Sequence, residues 1–167
     1  VASYVSLLEP REDLQGRMKY SVSMIFPKDT TDIEKLEEAV AEAAHEKFGK
    51  KLPKNFRSPI RDGDEEREDR EEYQNSWFMN ASTTRRPGIV DYKSGDIVDS
   101  DDEDVGIYSG CTCRASIAFF GYDQQGNKGV GVGLNNVQVL KRGSRLDGTR
   151  SAESDFGDAE DVDLAAL

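Results

Sequence analysis

The stretch from Cys111 to Leu140 constrains the fold more than any other part of the chain. Cys111 to Tyr122 reads as one long strand. Gln124 to Lys128 (QQGNK) follows as a tight hairpin turn, and Lys128 to Leu134 and Val137 to Leu140 read as further strands. This part of the chain is therefore committed to an antiparallel sheet. The N-terminal part adds strands to it. Val1 to Leu8 reads as a first strand, ended by Glu9-Pro10 and a polar loop to Gly16. Met18 to Phe26 alternates, with Met18, Tyr20, Val22, Met24 and Phe26 on one side and Lys19, Ser21, Ser23 and Ile25 on the other, until Pro27 stops it. Thr31-Asp32 opens a helix from Thr31 to Phe48, closed by Gly49, with Ile33, Leu36, Val40, Ala43, Ala44 and Phe48 as its apolar stripe.

Lys50 to Glu72 shows no periodicity. It begins basic and turns abruptly acidic, and unstructured chain of that length inside a domain is usually functional or mobile. Gln74 to Ala81 reads as a strand with Trp77, Met79 and Ala81 opposite Phe78, Asn80 and Ser82. Thr83 to Tyr92 carries Arg85 and Arg86 before Pro87-Gly88, and Gly95 to Gly106 is an acidic loop. After Gly143 Gly, Ser, Asp and Ala dominate. The expected organisation is one domain over 1–145 and an acidic, disordered C-terminal tail over 146–167. The expected fold class is mainly β with one helix. Five to seven strands with one helix between the second and third fit an OB-like five-stranded (or slightly larger) β-barrel with an inserted helix and long loops. The repeated strand–helix alternation of a parallel fold is absent.

Charge is informative through its placement. The net charge of −11 argues at first against a nucleic-acid ligand. Three blocks, Asp62 to Glu72, Asp96 to Asp104 and Glu153 to Leu167, hold 20 of the 33 acids. Without them the remainder has 13 acids against 20 Lys and Arg, a net of +7. A body of that sign can bind a polyanion. No apolar run is long enough to cross a bilayer, and no basic stretch followed by an apolar core suggests a secretory signal.

Enzyme chemistry finds little support. Neither a GxxxxGK[ST] loop nor a GxSxG elbow is present. Gly129, Gly131 and Gly133 alternate with valines inside a strand. They permit close approach of a neighbouring backbone or of a ligand, and do not form a dinucleotide turn. Asp99, Asp101, Glu103 and Asp104 superficially suggest a calcium loop but lack the mid-loop glycine and the spaced glutamate. Cys111 and Cys113 sit two apart with the single histidine, His45, far away, so they read as small buried hydrophobes. No metal and no cofactor is expected.

Basic residues mixed with aromatics on strands and adjoining loops form the better constellation. Single strands are held by cationic grooves that track phosphates and by aromatic faces that stack bases. The candidates are Lys19 and Ser21 on the second strand and Arg57 and Arg61 on the basic loop. Trp77 or Phe78, Arg85, Arg86 and Tyr92 come from the middle strands, and Arg114, Phe120, Tyr122 and Lys128 from the final hairpin. An arginine at 114, between Cys113 and Ala115, must face solvent, a partner or an ion pair.

Several segments in order resemble the phage OB-fold single-stranded-DNA-binding proteins. They are KYSVSMIFPK (Lys19 to Lys28), SPIRDGDEERED (Ser58 to Asp69), YQNSWFMNAS (Tyr73 to Ser82), RPGIVD (Arg86 to Asp91), and the run from Tyr108 to Gly143, with an acidic tail behind them. The resemblance implies an OB-fold, no catalytic set, sequence-independent binding of single-stranded DNA, and a role in phage DNA replication or recombination in the cytoplasm of the infected bacterial host. The tail acids Glu153, Asp155, Asp158, Glu160, Asp161 and Asp163 are expected to compete with DNA for the groove, or to recruit phage or host replication proteins. A monomer or dimer without membrane contact is expected. The internal acid blocks read either as a mobile flap or as a guard against duplex DNA. Two rival readings are an acidic DNA mimic that occupies a host enzyme and a metal-dependent nuclease.

Overall fold

β8 (Asn127–Lys141) is the strand on which the sheet is organised. The computed structural model describes residues 1–146. Along one edge β8 pairs antiparallel with β7 (Thr112–Gln124) from Lys141 back to the turn. Its other edge takes three partners in turn, all parallel: β3 (Phe56–Arg57), β5 (Ser76–Thr83) at the single pair Ser82–Gly133, and β6 (Gly88–Asp91). β5 continues antiparallel to β2 (Met18–Pro27), and β2 to β1 (Ala2–Glu12), while β4 (Arg61–Asp62) adds to β5. The sheet curls into a half-barrel. Its ends meet where the Ala2 N–H donates to the Cys111 carbonyl (2.9 Å) and the Gly110 N–H to the Ala2 carbonyl (2.8 Å).

The strand alternation read in the sequence sorts the two faces. Val22, Met79, Ala81, Val132, Leu134, Val137 and Val139 are buried in one core with Leu7, Ile89 and Ile107, and Met24 and Phe26 pack against it. The expected strands Lys128–Leu134 and Val137–Leu140 are a single strand. Ile117 pairs with Leu134 and Ser116 with Asn136, so Asn135 is one extra residue, and this bulge lets β8 run on. The hairpin turn is two residues, Gln125 (φ 51°) and Gly126 (φ 79°). Two positive φ angles twist the turn in the hand that β7 and β8 require.

Helix α1 (Ile33–Phe48) begins two residues later than the periodicity predicts and ends at Gly49, whose N–H donates to the His45 carbonyl. Val40, Ala43 and Ala44 bury its stripe against Val130, with Phe56 and Phe119 alongside. Its close seat on β7 depends on Gly121, where a Cβ would lie 2.3 Å from the Cβ of Lys47. No described helix is long and apolar enough to cross a membrane.

The stretch Lys50–Glu72 is not the irregular segment its sequence suggests. It contains β3, β4, a one-turn helix α2 (Gly63–Glu66) and a 3-10 turn (Glu71–Tyr73). Lys28 Nζ binds Asp62 (2.7 Å) and Asp64 (2.8 Å), and these bonds hold the Asp64 carboxyl below its ordinary range and raise the lysine above its own. The Asn75 N–H donates to Asp64, the Gln74 amide donates to the carbonyls of Arg67, Glu68 and Arg70, and the Tyr73 hydroxyl donates to Ser23 Oγ (3.0 Å). The acidic block is thus fastened over the sheet.

Cys111 and Cys113 are free thiols, the first buried and the second half-buried. Burial raises both thiols, Cys113 to about 12.

Candidate nucleic-acid interface

Residues that alternate with the core positions form a second, outer face across β7, β8, β5 and β2. Phe120 pairs with Gly131 and Ala118 with Gly133, while Ser82 lies beside Gly133 on β5 and pairs with Ser21 on β2. Phe120 is 51% exposed. Its ring lies on β8: a Cβ on Gly131 would sit 2.6 Å from Phe120 Cζ. The glycines therefore let an aromatic ring rest on the strand with its far side open to solvent. A floor of glycine, alanine and serine extends from it.

Cations stand at both ends of the strands. At one end β5 and β8 splay apart, leaving a cleft of about 560 Å³ lined by Arg57, Arg61, Asn80, Tyr122 and Gly131. At the other end the β5–β6 connection carries Arg85 and Arg86, both exposed. Arg114 is exposed there too, held by Gln138 Oε1 (2.8 Å from Nη2) with its guanidinium 5.9 Å from the ring of Tyr92. No described carboxylate lies within ion-pair distance of Arg57, Arg85, Arg86 or Arg114. Their charge is left for a ligand. A solvent-facing ring, a floor without bulk and uncompensated guanidinium groups suit a flexible polyanion with stackable bases.

The structure brings together Ser21, Arg57, Arg61, Tyr122, Phe120, Arg85, Arg86, Arg114 and Tyr92 on or around this face. Arg61 is engaged by Glu66 and lies 4.8 Å over the Phe78 ring. Lys19 and Lys128 are half-buried at its margins, near Asp13 (3.8 Å) and Asp123 (3.7 Å). Phe78 must be withdrawn as a stacking residue. It is 0% exposed, packed edge-on against Tyr73 at 5.1 Å, and no base can reach it. Trp77 does not join the face either. It shares strand parity with the core residues Met79 and Ala81, and Lys28 Nζ covers its ring at 4.5 Å. Sequence reasoning passed over Asn80 and Tyr4, a solvent-facing residue of β1. A short alternating first strand carries no signal that one of its side chains turns outward. The tail acids Glu153 to Asp163 lie outside the described residues.

The second acidic block, Asp96 to Asp104, is tied down as well. Arg145 binds Glu103 (3.0 Å), and Asp102 caps the backbone N–H groups of Asp104 and Val105. Asp91 accepts from the backbone N–H groups of Ser94 and Lys93 and from Arg142 (2.8 Å). The Ser94 bond, then the arginine, brings its carboxyl down to about 2.

The family described as Enterobacter phage Enc34, ssDNA-binding protein, matches residues 1–165. The chain belongs to this family. A relative from Acyrthosiphon pisum secondary endosymbiont phage 1, "Putative protein p50", is 31% identical over 98% of this chain and 94% of its own length. Among solved structures, the single-stranded DNA-binding protein from bacteriophage Enc34 in complex with ssDNA superimposes with a TM-score of 0.76 at 23% identity, covering 87% of this chain and 84% of that one. The single-stranded DNA-binding protein gp2.5 of bacteriophage T7 gives 0.58 at 14% identity, covering 95% and 93%. The fold is OB-like, as the sequence led one to expect, and the structural relatives are single-stranded-DNA-binding proteins.

Proposed function

We propose that this chain binds single-stranded DNA without regard to sequence, across the outer face of its sheet, and serves phage DNA replication or recombination in the infected cell. The observation that carries the reading is the Phe120 ring laid on Gly131, solvent-facing and flanked by arginines with no carboxylate partner. Bases stack on the ring while phosphates meet Arg57, Arg85, Arg86 and Arg114, with Arg61 already engaged by Glu66 at the margin. The floor between carries few groups able to tell one base from another. Membership of a family of single-stranded-DNA-binding proteins supports the same conclusion. The acidic tail, with six acids and no base after Arg150, competes with DNA for these arginines and presents itself to replication proteins once displaced.

The acidic block Asp62 to Glu72 fits this reading better than a DNA mimic. Asp62, Asp64, Glu66 and Glu72 are spent on Lys28, Arg61 and Arg70 within the molecule. The test is fluorescence anisotropy with labelled oligo-dT and with duplex of equal length, at two salt concentrations. Tight binding to the single strand, weakened by salt, with little binding to duplex is the expected result. No binding at low salt, even after tail removal, overturns the proposal.

A further inference from the structure

Tyr4 is the most strained non-glycine position of β1. Its φ is +46°, in the left-handed region that costs a residue with a Cβ. The cause lies in the register: Ser3 pairs with Ser23 and Ser6 with Ser21, so β1 carries one extra residue against β2. The bulge turns Tyr4 away from the core, where Ala2 and Leu7 point, and leaves it 51% exposed. Its ring lies 6.5 Å from that of buried Tyr73 and beneath the guanidinium of Arg70 at 5.2 Å. Arg70 is in turn held by Glu72 (2.8 Å). Tyr4, Arg70, Arg11 and Arg86 all line one cleft of about 1260 Å³ along β1. A strained backbone, a large solvent-facing ring and a fixed guanidinium converge on one spot that the core does not need.

We propose that Tyr4 with Arg70 is a second base-stacking station for the same DNA strand, at the opposite end of the sheet from Phe120. The inference rests on the reading of the outer face as the DNA-binding surface. In strand order β7-β8-β5-β2-β1, four strand spacings separate the two stations, roughly 19 Å along the sheet. Small side chains lie between them: Gly133 on β8, Ser82 on β5 and Ser21 on β2. The strand crosses this floor, an unpaired base takes the open side of the Tyr4 ring, and Arg86 on the cleft wall receives a phosphate. Arg86 has no ion-pair partner among the described residues.

The test compares oligo-dT of about 4 and about 12 nucleotides, one at the bottom and one well within the usual range of about 4–16 nucleotides for one such domain. It uses the full chain and its Tyr4→Gly, Tyr4→Phe and Phe120→Ala variants. Tyr4→Gly is the informative change, because glycine accepts the positive φ and so offsets part of the lost ring packing; its melting temperature, read alongside, should fall no further than that of Phe120→Ala. The expected result is unchanged affinity for the short oligonucleotide and a loss of fivefold or more for the long one. Tyr4→Phe retains both affinities, and Phe120→Ala weakens both. Equal binding of the long oligonucleotide by Tyr4→Gly and the parent overturns the second station alone. Failure of the parent to bind either length overturns the underlying reading, so the two failures are distinct. A photoreactive 5-iodouracil placed along the long oligonucleotide adds a direct check: crosslinks to the peptide holding Tyr4 are required, and their absence when Phe120 is crosslinked counts against it.

Discussion

Replacing Phe120 with alanine separates binding from folding, because half of the ring does nothing for the core. A fully covered phenylalanine buries roughly 150–250 Å². Half of that, at about 25 cal/mol per Å², bounds the stability cost at about 2–3 kcal/mol, and a partly collapsed denatured state lowers it further. For a chain of this size the melting temperature then falls by no more than about 12 °C. The loss of a base-stacking face costs about 1–3 kcal/mol of binding, which is about fivefold to about a hundredfold in Kd. Anisotropy titration with oligo-dT at 25 °C, where both proteins stay folded, reads that loss, and circular dichroism melting reads the stability. Phe120→Trp, which keeps a stacking face, restores affinity. Phe78→Ala serves as the contrast: its ring is fully buried, so about 3–5 kcal/mol of stability goes and any loss of binding follows unfolding. If Phe120→Ala binds as tightly as the parent, the ring carries no base and the assignment of this face is refuted.

Arg57→Ala, Arg85→Ala and Arg86→Ala should each weaken binding to all sequences alike and lower the slope of log K against log salt by about 0.7, as measured in a salt series. An unchanged slope removes that residue from the phosphate path. Deleting residues 153–167 should tighten binding to oligo-dT at low salt, with the gain shrinking as salt rises; equal affinity at both salts speaks against competition by the tail. Asp91 titrates near 2 in the folded chain against about 3.9 when unfolded, so its contribution is present above about pH 4 and disappears as pH falls through 2. Melting curves of the parent and Asp91→Asn should therefore differ at neutral pH and converge in acid. A constant gap would mean that the Arg142 and Ser94 bonds to Asp91 do not depend on its charge.

The strands, the helix and the acid–base segregation were legible because each leaves a local mark. Alternation on Met18 to Phe26 places Val22 inside and Ser21 outside, and the stripe of α1 names Val40 and Ala44 as core. What stayed hidden depends on contacts between distant residues. Phe78 has the same parity as Asn80 and so reads as outward, but Tyr73, Arg61 and Arg67, brought over it by the folded acidic segment, cover its ring. That segment is ordered by Lys28 and Ser23, which lie far from it in sequence, and by Asn75, whose N–H reaches back to Asp64, and none of these contacts leaves a periodic mark. Asn135 looks like a break between two strands because a bulge and a turn share the same residue types. The glycines at 129, 131 and 133 were read as allowing close approach without saying by what. The answer is Arg57 of β3 for Gly129 and the Phe120 ring for Gly131, while Gly133 has only ordinary contacts.

The two glycines under that ring are not equivalent. A side chain at Gly131 would drive into Phe120, but one at Gly133 would meet only the Ala118 carbonyl at 3.5 Å and the ring edge at 3.8 Å, ordinary contacts. The proposed indifference to base identity would then be a property of an empty position, and an empty position can be filled. An asparagine or glutamine written in at 133 would put an amide beneath a stacked base, where its donor and acceptor could distinguish one Watson–Crick edge from another. If the outer face binds DNA as proposed, a single substitution at Gly133 would give it a means of reading sequence.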